Sequence, residues 1–298
     1  MYRLWPLLSA LFLSCSTPPP GTLTPVRYTH ESGIRTALAS RPAKTLPGNP
    51  VVLLLTPDLR FRELRETAAG RVPFLQLFDH YLNNAGISLL RFSQTGRKAA
   101  DLVSVVGECR ALLAALRPEG RRITLLTFGS AAAAGLALAA ADPALQLVMV
   151  GPPARPYREV LRWRLLEEPD RHFAGCFDID GDGRVTRDEF EQDIYRVRNE
   201  FYRGIAFPAL DRDGNGVITA GDFAIANRAR WTSLAAALAS GRDDRHAAAL
   251  LGPDESLRWA ASLVAARTNM ADALRRLGRP VWILHGSDDR QIPAAESR

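Results

Sequence analysis

Residues 178–189 read DIDGDGRVTRDE, and residues 211–222 repeat the pattern as DRDGNGVITAGD. Each segment places an acidic or amide side chain at its first, third and fifth positions and a glycine at its sixth. Oxygen-bearing side chains at this spacing can converge on a hard cation such as Ca²⁺, and glycine tolerates the sharp turn that this convergence requires. The two segments therefore predict two cation sites.

The predicted ligands follow from position in each loop. Side-chain oxygens come from positions one, three and five, a backbone carbonyl from position seven, a water-mediated contact from position nine and a closing carboxylate from position twelve. The first loop supplies Asp178, Asp180, Asp182, Arg184, Thr186 and Glu189; the second supplies Asp211, Asp213, Asn215, Val217, Thr219 and Asp222. Asp222 is one methylene shorter than Glu189, and the second loop has fewer carboxylates. We therefore expect its site to bind Ca²⁺ more weakly or to tolerate Mg²⁺ better.

The tandem arrangement resembles an EF-hand pair, and the resemblance covers residues 164–235. Val185 and Ile218, at position eight of each loop, have the apolar character that lets paired loops form a short β-bridge. Dockerin modules use similar loops, but the segment 189–210 is long enough for an exiting helix and a second entering helix, which favours an EF-hand pair. The alternative is that Asp- and Gly-rich segments form ordinary turns, and two full matches in tandem argue against it.

The first fifteen residues have the pattern of an export signal. Arg3 precedes an apolar run at 4–13, which is too short for a stable membrane span and is typical of a cleavable segment. Residues 12–15, FLSC, resemble a bacterial lipobox, which implies lipid attachment at Cys15. An ordinary secretory signal with an incidental cysteine is the alternative. We expect an exported protein of the bacterial cell envelope, anchored to the membrane on its periplasmic or cell-surface side.

Charge and cysteine content narrow the classes of partner. The formal net charge is +6, and the arginines are spread along the sequence, so no nucleic-acid-binding module is indicated. A weak basic bias is compatible with proximity to anionic lipid or with a solvated surface. Apart from Cys15, only Cys109 and Cys176 are present; a single bridge between them and two buried thiols both remain open. No protein partner or small-molecule substrate can be read from the sequence.

Outside the loops, short apolar segments alternate with longer segments of helical periodicity. Apolar segments of this kind are typical of strands buried on both faces of a parallel sheet. The predicted strands are 51–55, 87–92, 123–128, 145–150 and 281–284, and the predicted helices are 61–83, 99–116, 131–141 and a set within 154–277. The alternation predicts an α/β fold, a doubly wound and mostly parallel sheet with an all-helical insert that carries both loops.

The predicted domain boundaries follow these segments. They are a signal at 1–15, a tether and N-terminal segment at 16–48, the first part of the core at 49–153, a helical cap at 154–278 and a last core strand within 279–298. The ligand crevice of such a sheet lies at the carboxyl ends of its strands.

The α/β segments resemble the α/β-hydrolase superfamily, especially its bacterial esterase-like and peptidase-like members. The resemblance rests on the strand 51–55, on ITLLTFGSAAAAGLAL at 123–138 and on PVWILHGSDDRQIP at 280–293. It implies a nucleophile at Ser130, an acidic partner at Asp289 and a cap formed by the insert. An EF-hand pair in this position would form part of a lid.

The residues that catalysis requires are incomplete. The nucleophile turn of this superfamily needs Gly-x-Ser-x-Gly, and no register around Ser130 supplies both glycines. Pro57 cannot donate a backbone N–H in the segment that would form the oxyanion hole. No histidine follows Asp289. We therefore expect either lost catalysis, a pseudoenzyme, or a reading frame that lacks its last strand and helix.

Three functional hypotheses remain. The first is an exported, lipid-anchored calcium-binding protein on a hydrolase-like scaffold without catalysis. The second is a calcium-supported serine hydrolase that uses Ser130, Asp289 and an unidentified base. The third is a cell-envelope interaction module that docks through the cap, and the sequence does not separate it from the first.

Overall fold

The protein is described here by a computed structural model, which covers residues 23–31, 33–56, 65–67, 70–72, 74–91, 101–117, 120–166, 168–192, 206–240, 262–264 and 269–285. These residues divide into two compact units. The first extends to Pro152 and includes Ala271–His285, and the second contains Pro153–Met270.

The first unit is built on a long sheet. Its strands are β1 (Leu23–His30), β2 (Gly33–Ser40), β3 (Val51–Leu55), β4 (Arg65–Thr67), β5 (Gly70–Val72), β6 (Ser88–Arg91), β7 (Ile123–Phe128), β8 (Gln146–Val150) and β11 (Trp282–Leu284). Its helices are α1 (Phe74–Asn84), α2 (Leu102–Leu116), α3 (Ala132–Ala141) and most of α9 (Met270–Leu277).

Seven strands of this unit form one sheet in the order β1-β2-β6-β3-β7-β8-β11. The five strands from β6 to β11 run parallel, with Val51 of β3 level with both Ser88 of β6 and Ile123 of β7. β1 and β2 are antiparallel to their neighbours. The expected α/β fold with a mostly parallel sheet is therefore confirmed.

Helices cover both faces of the sheet. Successive residues of a strand point to opposite faces, so the strand residues that a helix contacts show which face it covers. Phe78 of α1 packs against Val52 and Leu54 on one face. On the other face, Gly135 of α3 lies close to Thr127 and Leu147. The sheet is doubly wound, as predicted.

Polar contacts fix α1 to the sheet. Arg91 at the end of β6 forms an ion pair with Asp79 of α1, and both side chains are buried. Asn83 of the same helix donates a hydrogen bond to Ser40 of β2 at 2.5 Å. Removing either charge would leave the other buried without its partner, at a large desolvation cost. The ion pair therefore helps to fix the position of α1 on the sheet.

The structure corrects one predicted helix and adds a hairpin. The helix predicted at 61–83 is wrong in its first part, where β4 and β5 pair as a hairpin, and α1 begins only at Phe74. β1 and β2 were not predicted, because they lack a continuous apolar run. Pro25 lies within β1, which is an edge strand of the described sheet, where proline is tolerated.

The second unit is mainly helical. It contains α4 (Tyr157–Leu166), α5 (Glu168–Phe177), β9 (Val185–Thr186), α6 (Arg187–Gln192), α7 (Phe207–Leu210), β10 (Val217–Ile218) and α8 (Ala220–Ser240). In the part of the chain that the structure describes, no helix is long and apolar enough to cross a bilayer. Cys109 and Cys176 are both buried as free thiols, and burial raises the pKa of the Cys109 thiol.

Candidate metal centre

An aromatic cluster holds the helices on either side of the two loops. Phe173 and Phe177 of α5 are fully buried, one helical turn apart, with ring centroids 4.8 Å apart. Phe190 of α6 lies 5.0 Å from Phe177 and 5.9 Å from Phe207 of α7. Phe223 of α8 lies 5.2 Å from Phe173. All four flanking helices thus contribute to one core, which fixes where each loop begins and ends.

A two-residue pairing joins the loops to each other. Val185 of the first loop is paired with Ile218 of the second, and Thr186 with Val217, in antiparallel register. Val185 and Ile218 are both buried, and they belong to the aromatic cluster. The predicted β-bridge at position eight is therefore confirmed, and it places the loops side by side.

The first loop is wrapped around its own acidic side chains. Asp178 accepts hydrogen bonds from the N–H groups of Gly181 at 2.7 Å and Gly183 at 2.9 Å. Asp180 accepts from the N–H of Asp182 at 3.1 Å, and Asp182 accepts from that of Arg184 at 2.8 Å. The backbone N–H groups point inward and hold the side chains of positions one, three and five in a convergent arrangement.

The second loop repeats this pattern. Asp211 accepts from the N–H groups of Asn215 at 3.1 Å and Gly216 at 3.0 Å. Asp213 also accepts from the N–H of Asn215 at 3.1 Å, and the Asn215 side-chain oxygen accepts from the N–H of Val217 at 2.9 Å. The backbone of the second loop thus follows the same course as that of the first, although the two sequences differ at most positions.

Glycine at position six is required by the backbone. Gly183 has a φ of 81° and Gly216 a φ of 86°, in the left-handed region that side chains disfavour. A Cβ at either residue would meet no atom within 4 Å, so the restriction is one of backbone conformation alone. The predicted role of both glycines in turning the loop is consistent with this geometry.

Each loop gathers three carboxylates within a small volume. The oxygens of Asp178, Asp180 and Asp182 lie within 4.8 Å of one another, and so do those of Asp211, Asp213 and Asp222. Carboxylates at such distances repel each other by roughly 1 kcal/mol per pair even in a water-like dielectric. A bound dication would offset that repulsion. Oxygen donors of this number and charge fit Ca²⁺ or Mg²⁺, which are hard cations.

The carboxylates at position twelve brace their loops from the following helix. Glu189 accepts hydrogen bonds from the N–H of Ile179 at 2.9 Å and from that of Thr186 at 2.8 Å. Burial raises the pKa of this carboxyl group, but the hydrogen bonds from Thr186 and Ile179 outweigh burial and hold the pKa below its usual value. The structure therefore favours the charged form of the group.

The Asp222 carboxyl group behaves in the same way. Its oxygens accept from the N–H groups of Arg212 at 2.7 Å and Thr219 at 2.9 Å. Burial raises its pKa, and the hydrogen bonds from Thr219, Arg212 and Asp213 lower it further than burial raises it. Only 2% of the residue is exposed.

The threonines at position nine contact the closing carboxylates. The hydroxyl of Thr186 donates to Glu189 at 2.8 Å, and that of Thr219 donates to Asp222 at 3.2 Å. The sequence predicted a water-mediated ligand at this position. In the structure, the hydroxyl groups orient the carboxylates at position twelve, a role that the sequence did not predict.

The aromatic side chains that support the loops differ in how close they lie to the loops in the sequence. Phe177, Phe190 and Phe223 stand next to the loops in the sequence, but Phe173 and Phe207 lie further away. The signal for Phe173 was present, since it precedes Phe177 by four residues and therefore lies on the same helical face. Arg187 contributes as well, because its guanidinium carbon lies 5.3 Å from the centre of the Phe207 ring.

Only one of the two predicted catalytic residues lies within the described residues, so their pairing stays a prediction. Ser130 is buried in a 3₁₀ turn, Gly129–Ala131, between β7 and α3. Asp289 lies outside the described residues. The residue with positive φ in this strand-to-helix turn is Gly129, at 51°. Glycine adopts this left-handed conformation without strain.

The EF hand family matches the chain at residues 175–194. This segment includes the whole first loop, the end of α5 and α6. The match and the converging carboxylates together indicate calcium binding at the first loop. No curated protein matches the chain.

Several solved structures are similar to the chain. The esterase domain of a Rhodothermus marinus protein is 21% identical, with a TM-score of 0.36, over 49% of this chain and 58% of that domain. Proline iminopeptidase from Mycobacterium smegmatis is 15% identical, with a TM-score of 0.45, over 90% of this chain and 83% of the other. A Mycobacterium tuberculosis protein is 16% identical, with a TM-score of 0.43, over 93% and 85%. The chain thus spans less than two thirds of the esterase domain, and likenesses at this level assign no activity.

Proposed function

We propose that this chain is a calcium-binding protein with two metal sites, one in each twelve-residue loop. The observation that carries the proposal is the repeated geometry of the loops. In each, the side chains of positions one, three and five accept backbone hydrogen bonds from inside the loop, and a carboxylate at position twelve closes it. The proposed ligands are those named from the sequence, with Arg184 and Val217 contributing their carbonyl oxygens.

The metal would act by stabilising the second unit. A ligand that binds only the folded state stabilises that state by mass action, by about 2.7 kcal/mol per site when it is present at a hundred times its dissociation constant. The aromatic cluster connects both loops to α5, α6, α7 and α8. Calcium binding at the loops would therefore protect all four helices against unfolding.

We further propose that the protein is exported and anchored by lipid at Cys15. The support is the sequence alone, an apolar segment followed by a lipobox-like motif. Calcium is abundant outside the cytoplasm, so the sites would remain occupied and serve structure instead of signalling. The second site, with its shorter closing Asp222, would be the weaker one or the more tolerant of Mg²⁺.

Limited proteolysis tests the stabilising role. The full chain is digested with saturating calcium and with chelator, and cleavage sites are mapped by mass spectrometry. The proposal expects calcium to slow cleavage within 168–192 and 206–240 and to leave cleavage of the sheet strands unchanged. Asp178→Asn together with Asp211→Asn should remove the calcium effect, whereas Asp188→Asn, at an exposed acid that is not a proposed ligand, should keep it. Equal cleavage of the unaltered chain in both conditions would refute the proposal.

We propose that the hydrolase-like scaffold has lost catalysis. Gly129 occupies the position of positive φ in the turn where this superfamily carries its nucleophile, and Ser130 follows it as a buried residue. A fluorophosphonate probe, which labels activated serines, should leave the folded chain unlabelled with and without calcium. Calcium-dependent labelling that disappears in Ser130→Ala would establish the serine hydrolase instead.

A further inference from the structure

One edge of the sheet in the first unit carries an excess of positive charge. The amino ends of the parallel strands meet at this edge, because Ser88, Val51 and Ile123 are level with one another. The segments that precede or adjoin these ends contain Arg41, Lys44, Arg117, Arg121, Arg122, Arg276 and Arg279, which we call the basic edge. The acidic residues of these segments are Asp142 and Glu119, of which Glu119 lies outside the described residues.

Contacts between the segments make the basic edge continuous. The backbone N–H of Arg122 donates to the carbonyl of Gly48 at 3.2 Å, which joins the loop after β2 to the start of β7. Arg117 at the end of α2 pairs with Asp142 at the end of α3. Arg279 donates to the carbonyl of Leu145 at 2.8 Å, which joins the approach to β11 with that to β8. The positive charges therefore lie on one connected surface and not on scattered loops.

Two grooves lie between these charges. The first, between α2 and α3, is lined by Arg110, Ala114, Arg117, Ala141 and Asp142, together with Leu113, Leu138 and Leu145, which are almost fully buried. A second groove, between α3 and α9, is lined by Pro143, Leu277, Arg276 and Arg279 among others. Among the residues that the structure describes, no aromatic side chain lines either groove. Surfaces that bind single-stranded nucleic acid stack bases on aromatic rings, whereas arginines without aromatic neighbours suit the phosphate headgroups of anionic lipid.

The chain also enters the fold at this edge. Leu23, the first residue of β1, is paired with Ser40, the last residue of β2, and Arg41 follows directly. Cys15 precedes Leu23 by eight residues, which span at most about 29 Å when fully extended. A lipid on Cys15 would therefore hold the basic edge near the membrane surface.

We propose that the basic edge is a docking surface for anionic lipid, so that the amino ends of the sheet strands face the membrane. The proposed orientation rests on the lipid attachment at Cys15 proposed above. The attraction of the basic edge to anionic lipid can be tested separately. Each basic residue near an anionic bilayer contributes about fivefold in affinity. Several such contacts would fix the orientation of the first unit at the membrane surface.

The test measures retention of the full chain on sedimented vesicles. Phosphatidylcholine vesicles are compared with vesicles that contain about 30% phosphatidylglycerol, at low salt and at limiting lipid. Arg41→Glu, Lys44→Glu and Arg276→Glu are combined in one variant, because all three side chains are exposed. The control variant combines Arg27→Glu, Arg158→Glu and Arg228→Glu, which change the net charge equally at exposed residues outside the edge. Circular dichroism confirms that both variants fold.

We expect anionic lipid to increase retention of the unaltered chain and of the control variant. The edge variant should lose this increase by more than a hundredfold in apparent affinity, about fivefold for each residue. No increase with anionic lipid, or an equal loss in both variants, would overturn the proposal and leave a solvated surface. Release from anionic vesicles by single-stranded DNA at a lower phosphate concentration would also overturn it and indicate a nucleic-acid partner.

Retention on the neutral phosphatidylcholine vesicles tests the lipid anchor. Cys15→Ser should lower retention on phosphatidylcholine while the increase due to phosphatidylglycerol remains. If Cys15→Ser changes nothing on neutral vesicles, the anchor is refuted. The basic edge is then still tested by the increase in retention that phosphatidylglycerol causes.

Discussion

Glu189 and Asp222 perform equivalent tasks although they differ by one methylene. Each accepts hydrogen bonds from the N–H groups at positions two and nine of its loop, at 2.9 and 2.8 Å for Glu189 and at 2.7 and 2.9 Å for Asp222. Asp222 also joins the carboxylate cluster of its loop. The shorter side chain thus reaches the loop from a more deeply buried position.

This difference in burial predicts unequal costs of removing the charge. In chelator, Asp222→Asn should lower the free energy of unfolding by about 1.5–3 kcal/mol, because the N–H groups of Arg212 and Thr219 lose a charged acceptor that is itself buried. Glu189→Gln should cost less, since Glu189 is only half-buried. Urea unfolding followed by circular dichroism measures both, with the exposed Asp188→Asn as the control. Equal costs for the two variants would contradict the account.

The effect of Asp222→Asn should also depend on pH. The pKa of Asp222 is held below its usual value in the folded chain, so the charged group contributes stability above the pKa of the unfolded state. That contribution is lost as pH falls below about 3.9 toward the lower folded value. In chelator, the difference in Tm between the chain and Asp222→Asn should therefore narrow from pH 7 to pH 3. A constant difference would be inconsistent with the lowered pKa.

Two helical glycines should respond oppositely to alanine. A Cβ on Gly135 of α3 would lie 2.5 Å from a methyl carbon of Thr127 and 3.0 Å from Leu147, so Gly135→Ala should cost about 1–3 kcal/mol through overpacking. A Cβ on Gly107 of α2 would meet only His30, at 3.7 Å. Gly107→Ala should stabilise the chain by about 0.5–1 kcal/mol, because alanine favours the helix. Thermal unfolding measures the change in Tm for both variants. A change of the same sign in both would show that the packing of α3 differs from that described.

Lysine should not be able to replace the hydrogen bonds that Arg279 makes. Its guanidinium donates to the carbonyls of Pro143, Leu145, Ala139 and Asp142. A guanidinium presents several donors in a fixed plane, whereas an ammonium group cannot reach four carbonyls at once. Arg279→Lys should therefore cost about 1–3 kcal/mol in urea unfolding, while Arg276→Lys at the neighbouring exposed residue should be neutral. Full stability of Arg279→Lys would refute the anchoring role.

The loops could be predicted well because their chemistry is local. All proposed ligands of each site lie within twelve consecutive residues, and the spacing itself specifies the turn at Gly183 and Gly216. The pairing of Val185 with Ile218 is a long-range contact, but it was predictable because both residues are apolar at the same loop position. The central strands were recognisable because each is buried on both faces.

The remaining features depend on contacts that the sequence does not display. β1, β2, β4 and β5 lack the continuous apolar run of a central strand, so their pattern resembles a loop or, near 65–72, a helix. Arg279 and Leu145 are 134 residues apart, and nothing local marks them as partners. The positive φ of Gly129 could only be seen once the strand-to-helix turn was described, since the sequence allowed several registers.

Equilibrium calcium titration by isothermal calorimetry tests the central claim most directly. The account predicts two Ca²⁺ ions per chain, with dissociation constants of about 1 mM or lower. It also predicts loss of one ion in Asp178→Asn and loss of the other in Asp211→Asn. Binding that is absent in the folded chain at millimolar calcium, or that survives unchanged in both variants, would contradict the assignment of the two loops as calcium sites.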